Sequence, residues 1–304
     1  MLRRSALVDA VLILTLACGP AACSRGSAQQ TFAAPEDAVH ALDAAVKTGD
    51  LNQVAAIFGP EGRALIDTSD AATARRNQQV FSAAMQEQWH LEGTGTTRVL
   101  IVGNEQWPFP VPIVADGSRW RFDTPAGKEE ILARRIGQNE LAAIRICETY
   151  VAAQRLYAAH AHDGLPSGVF AQTVSSTPGR HDGLYWRAPQ GEKRSPLGDL
   201  VASAALDARS NSQGSSPFHG YYFRILTAQG PAAPGGAKDY ITGGRMTGGF
   251  ALVAWPAQYD VTGVMSFIVN QDGIVYERDF GPDTETLVRA VAHYDPDTAW
   301  SATR

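Results

Sequence analysis

Between residues 220 and 279 the chain passes through four strand-length segments in succession: GYYFRILT, FALVAWP, GVMSFIVN and IVYERD. β-Branched and aromatic side chains dominate them, and Asn270-Gln271-Asp272-Gly273 makes the tight connection between the last two. A sheet with an apolar face must bury it against another layer. The sequence supplies that layer upstream. Ile136, Ile144, Cys147 and Val151 lie at offsets of 0, 8, 11 and 15, one stripe of a 3.6-residue period. This spacing predicts a helix from about 139 to 161. Thr124-Pro125 opens the helical region, and Gly137 and Asn139 are expected to divide it, with Asn139 capping the second piece. Residues 125–300 thus read as a long helix packed on an antiparallel sheet.

The preceding part, residues 32–124, has a different order. Pro35 suits a first helical turn, Glu36 and Asp37 complement the positive end of the dipole, and Gly49 ends the helix. Leu51 to Phe58 forms a second short helix, stopped by Gly59-Pro60. Residues 69–90 form a third, with Val80, Met85 and Trp89 as core candidates. Strands follow at Arg98–Val102, Pro108–Val114 and Ser118–Phe122, the last two joined by an Asp116-Gly117 turn. The whole chain is therefore α+β, and the first part is compatible with a truncated NTF2-like cone. Leu197 to Ala208 is a further short helix inside a turn-rich stretch from Asp163 to Pro217.

The first 28 residues read as a signal peptide: Arg3 and Arg4, then an apolar core from Ala10 to Ala17, then small residues. That core falls well short of the roughly 20 residues a membrane span needs. Two cleavage readings stand side by side. Gly26-Ser27-Ala28 suits an ordinary signal peptidase, while Ala21-Ala22-Cys23 resembles a lipobox that would acylate Cys23. Pro20 occupies the usual aliphatic position of that motif. Cys18 and Cys23 fall in this segment and leave Cys147 alone in the body, which must hold together without an internal disulfide. Its apolar stripe predicts a buried thiol. With 26 basic and 31 acidic residues, the chain offers no basic face for nucleic acid.

The segments WPFPVPIVADGSRWRFDTPAGKEEILARRIGQNELAAI and GYYFRILTAQGPAAPGGAKDYITGGRMTGGFALVAWPAQYDVTGVMSFIVNQDGIVYERDFGPDT resemble the bacterial family called domain of unknown function 2950, over residues 32–297. The resemblance implies no activity. The order NELAAIRICETYVAAQRLYAA, GYYFRI, SFIVNQDGIVYERD is similar to the globular halves of type IV pilins and pseudopilins. The apolar helix half that builds a pilus core is absent before Asn139, where charged residues stand instead. This resemblance implies a pilin-like globular fold that does not assemble into a standard pilus.

His160-Ala161-His162-Asp163 is the most metal-like cluster, with His219 and His181-Asp182 able to complete a site. Residues two apart on a helix diverge, so both imidazoles converge only where the helix ends. The alternative is a solvated helix terminus, where histidine meets the negative end of the dipole. Glu129-Glu130, Glu140 and Asp123 suggest paired carboxylates, against the simpler reading of acids on a helix surface. Alternation puts Tyr222 on one face of its strand and Tyr221 with Phe223 on the other, and with Trp255, Tyr259 and Tyr185-Trp186 they offer either an exposed aromatic groove or core on one face and packing under the long loop on the other. Ser175, Ser176, Ser195, Ser215 and Ser216 lack a nucleophile-elbow setting. The paired glycines at 235–236, 243–244 and 248–249 read as turns rather than phosphate loops, and Asp295-Pro296-Asp297 is too short for a calcium loop.

No catalytic residue and no cofactor is assigned. The expectation is an exported cell-envelope protein, periplasmic or membrane-held as a lipoprotein, acting as a non-enzymatic interaction or assembly module. Its partner would be a protein or envelope component, and peripheral membrane association would follow only from lipidation. The alternative is an envelope hydrolase, or a metal- or ligand-binding protein, with its site in a cleft between two domains.

Overall fold

The structure, a computed structural model, describes residues 29–62, 65, 71–188, 194–197 and 217–303. The expected signal peptide with Cys23 and most of the helix expected over Leu197 to Ala208 lie outside these residues. The chain is α+β and divides into two compact units, the boundary falling between Arg134 and Arg135.

In the first unit, α1 (Pro35–Thr48) starts where the Asp37 carboxylate accepts the Ala34 N–H. It ends at Gly49, whose φ of 68° lets its N–H reach the Val46 carbonyl. Ala38, Val39, Leu42 and Ala45 form its buried face. α2 (Leu51–Phe58) is capped by Asp50, which accepts the N–H groups of Asn52 and Gln53. α3 (Ala71–Glu87) is shorter than expected. It stops before Trp89, which opens β1 (Trp89–Glu92), because that segment pairs residue for residue with β2 (Thr97–Val102). Trp89 is accordingly a half-buried strand residue rather than a helical one.

The expected extended run from Pro108 to Val114 is split into β3 (Trp107–Pro108) and β4 (Ile113–Asp116). β4 joins β5 (Arg119–Phe122) through a two-residue turn with Gly117 at φ 63°. The sheet runs β1-β2-β4-β5 with β3 on β2, all antiparallel. Phe58, Leu100, Val111, Ile113 and Phe122 close the core between helices and sheet.

α4 (Thr124–Ala158) is continuous over 35 residues, which corrects the expected break at Gly137 and Asn139 and the end near 161. Asn139 does not cap a helix: its side-chain amide donates to the Thr262 carbonyl at 2.9 Å. That tertiary bond replaces the local one the residue type suggested. In the second unit α4 buries Ala143, Cys147, Tyr150, Val151, Gln154 and Tyr157, one face at helical spacing.

This face meets an antiparallel sheet whose order is β14-β13-β12-β11-β6. Its strands are β6 (Tyr221–Leu226), β11 (Ala251–Pro256), β12 (Met265–Asn270), β13 (Val275–Asp279) and β14 (Ser301–Ala302). Between β6 and β11 lie two short hairpin arms, β7 (Ala228–Gln229) with β8 (Lys238–Asp239) and β9 (Ile241–Thr242) with β10 (Arg245–Met246). Gly243 and Gly244, at φ 57° and 77°, form the two-residue turn of the second, a left-handed pair that glycine adopts freely.

Tyr221, Phe223 and Phe267 belong to the sheet face that α4 covers. The opposite face is covered by α5 (Thr284–Arg289) and the tail beyond it. Arg224 fastens that cover by donating to the carbonyls of Val288 and Val291, at 2.9 and 2.7 Å, where α5 ends.

Gln154 is the least accessible polar side chain of α4, at 0 % exposure. Its amide donates to the Ala171 carbonyl and to the Tyr150 hydroxyl, and its oxygen accepts the Ala171 N–H. Replacing Gln154 by Leu strands both backbone groups of Ala171. We expect a loss of about 2–4 kcal/mol in urea unfolding, with an unchanged denaturant slope.

Candidate functional site

The histidine cluster falls where α4 ends, but it is not a set of converging ligands. His162 lies flat on Tyr157, with ring centroids 4.2 Å apart and planes 15° apart, and is itself buried. Its Nε2 is 3.0 Å from the Tyr157 carbonyl. A carbonyl only accepts, so this nitrogen carries the proton and has no lone pair for a metal. Trp186 completes the packing, with ring centroids 5.8 Å from His162 and 4.4 Å from His181. The Tyr157 hydroxyl donates to the His181 carbonyl, and Asp163 accepts the His181 N–H.

His160 is solvent-exposed, and His219, at φ 44°, stacks edge-on to Phe218. Among the described residues no group of three His, Cys, Asp or Glu side chains is placed to hold a metal ion. The structure thus brings His162 and His181 together on Trp186 and does not join His160 and His219 to them as a metal site. Cluster spacing held no sign of the aromatic stack, because Trp186 lies 24 positions beyond His162.

Asp182, on the loop folded over this cluster, accepts both the N–H and the hydroxyl of Thr177 at 2.7 Å. Burial works to raise its pKa, but these two hydrogen bonds hold the carboxyl below its ordinary value. The other acids are also separately engaged. Asp123 accepts the Ala126 N–H, and Glu130 pairs with Arg134 at 2.7 Å. Glu140 accepts the N–H groups of Val264 and Met265 at 2.9 and 3.0 Å. Asp123, Glu130 and Glu140 thus have separate partners, as in the simpler reading of acids with structural roles.

The aromatic groove is corrected as well. Alternation along β6 sends Tyr221 toward α4, where it is 1 % exposed and donates to the Met265 carbonyl. Gly263 lies so close to the Tyr221 ring that any side chain there would collide with it. Tyr222 faces the other way and is half-buried, opposite Trp255 in the strand register with ring centroids 5.7 Å apart. Trp255 is itself buried. The three aromatics therefore divide between two sheet faces and do not line one groove.

Cys147 is fully buried, and desolvation, aided by the nearby Glu148 charge, pushes its thiol up to about 12. Burial likewise pushes Tyr157 and Tyr240 up to about 12 and raises Tyr150, Tyr221 and Tyr294 further.

The family model described as "Protein of unknown function (DUF2950)" matches residues 29–303, and the chain belongs to that family. No curated protein and no solved structure matches it.

The raised tyrosines fix a direction for alkaline stability. The fold favours neutral phenols, so their contribution is complete below the unfolded value near pH 10. It is lost as pH rises, from about 10 to about 12 for Tyr157 and Tyr240 and onward for the other three. Phenolate absorbance should therefore rise together with loss of the near-ultraviolet circular dichroism signal. Ionisation of these five buried tyrosines near pH 10 with the fold intact would contradict this.

Proposed function

We propose that this protein is exported and acts in the cell envelope as a non-enzymatic interaction or assembly module. The observation that carries the reading is where its reactive side chains are engaged. His162 donates to its own helix end, Tyr221 to a strand carbonyl, and Glu140 accepts two turn amides. General acid–base or nucleophilic work needs such groups presented to a substrate. Here they stabilise the fold instead.

The leader pattern around Arg3, Arg4 and Ala10 to Ala17 supports the envelope location, with Cys23 as the point of attachment if the lipobox is used. The long helix on an antiparallel sheet in the second unit supports a pilin-like reading of that unit, and the helices and small sheet of the first an NTF2-like one. Contact surface is available on α4, where Leu141 and Leu156 are each 57 % exposed. Large apolar side chains presented in this way suit a protein partner.

Fractionation of cells expressing a C-terminally tagged chain tests the location. A processed form is expected outside the cytoplasm, and a clickable fatty acid should label it unless Cys23→Ala is introduced. An unprocessed cytoplasmic chain would contradict the location. Cross-linking in intact cells tests the role. Leu141→Asp with Leu156→Asp should abolish cross-linked species while leaving the circular dichroism spectrum unchanged. Turnover of a defined substrate, lost on one side-chain change, would overturn the non-enzymatic reading.

A further inference from the structure

On the sheet face turned away from α4, two buried donors stand side by side with no hydrogen-bond partner among the described residues. Trp255 lies opposite Tyr222 on β6, and Ser266 lies opposite Arg278 on β13. The β11–β12 register pairs Ala254 with Phe267, and one further step places Trp255 beside Ser266. Directly opposed residues of neighbouring strands have their Cβ atoms about 4.5–5.5 Å apart. The Trp255 Nε1 and the Ser266 Oγ are both sealed from solvent and have no hydrogen-bond partner among the described residues. Ser266 is 0 % exposed and Trp255 8 %.

Buried indole N–H and hydroxyl groups in folded proteins almost always find a partner, since an unmet donor carries its full desolvation cost. Two such donors at neighbouring positions can share a single acceptor. The indole can only donate, so the partner must be an acceptor. The same row continues to Arg278, whose guanidinium lies 4.4 Å from the centre of the Phe280 ring. Glu277 and Asp279 flank Arg278 on its strand, and alternation sends both to the opposite face. The row is thus rich in donors, carries a cation and lacks an acid of its own strand. It is roofed by the chain beyond β13, where Phe280 packs on Trp300 and Tyr276 on Tyr294.

We infer that this row is a binding site for a carboxylate. The carboxylate oxygens accept from the Trp255 N–H and the Ser266 hydroxyl and face the Arg278 guanidinium. The site is independent of the envelope reading, because it concerns the purified protein alone.

Titration with sodium acetate against sodium chloride at equal ionic strength tests it, followed by the indole N–H resonances in nitrogen-15 NMR. Trp255→Phe assigns the Trp255 signal by its loss and keeps an aromatic ring at the position. A saturable, acetate-specific shift of that signal is expected. Acetate should also raise the melting temperature of the wild type and leave that of Trp255→Phe unchanged. Ser266→Ala should bind acetate about tenfold more weakly, the effect of one hydrogen bond to a charged group. Without acetate, Ser266→Ala should be at least as stable as the wild type, because it removes an unmet donor with little loss of packing.

A short peptide with a free terminal carboxylate, compared with its amide, distinguishes a chain terminus from a free acid as the source. Binding of either carboxylate through Trp255 supports the site. No carboxylate-specific response overturns it. So does a loss of stability in acetate-free Ser266→Ala, because that would reveal a protein partner for the hydroxyl.

Discussion

The packing of α4 on the C-terminal sheet is the interaction on which the second unit depends. No cysteine other than Cys147 lies between residues 29 and 304, so no internal cross-link can share the task. The joint is built from small and large side chains in alternation. Ala143, Cys147 and Val151 let the helix approach, while Tyr150 and Tyr157 reach past them. Each fully buried large apolar side chain contributes about 1.5–3 kcal/mol relative to exposure. Those contributions offset the ordering of the helix and five strands.

Polar side chains of the same helix then fix where it lies along the sheet. Asn139 donates to Thr262, Glu140 accepts from Val264 and Met265, and Arg155 donates to the Gln271 carbonyl. Each satisfies backbone at a turn or strand edge of the sheet, and the first three bonds are partly buried. Gln154 does the same for the loop at Ala171. Apolar burial thus supplies the attraction, and hydrogen bonding to backbone supplies the register. This division explains why the residues with most chemical potential on α4 act within the fold.

Much of this architecture was legible before any coordinates. The four C-terminal strands, the two-residue turn at Gly117 and the cap at Gly49 follow from local pattern and turn chemistry. Local pattern misled where a distant partner decided the outcome. Asn139 has the chemistry of a helix cap, but the Thr262 carbonyl claims its side chain and α4 continues through it. Trp89 fits the period of a helix, yet pairing with Val102 makes it a strand residue. At the candidate sites, alternation separated Tyr221 from Tyr222 but could not say which of them faces α4. The unmet donors of Trp255 and Ser266 were invisible, since an absent partner leaves no mark on a sequence.

Native-state hydrogen exchange resolved along the chain measures the dependence on α4 most directly. The amides of residues 143–157 should exchange as slowly as those of β11 and β12, and both should respond with one slope to added denaturant. Exchange of the helix at lower free energy, with the strands still protected, would show that the sheet stands without it and would contradict the account.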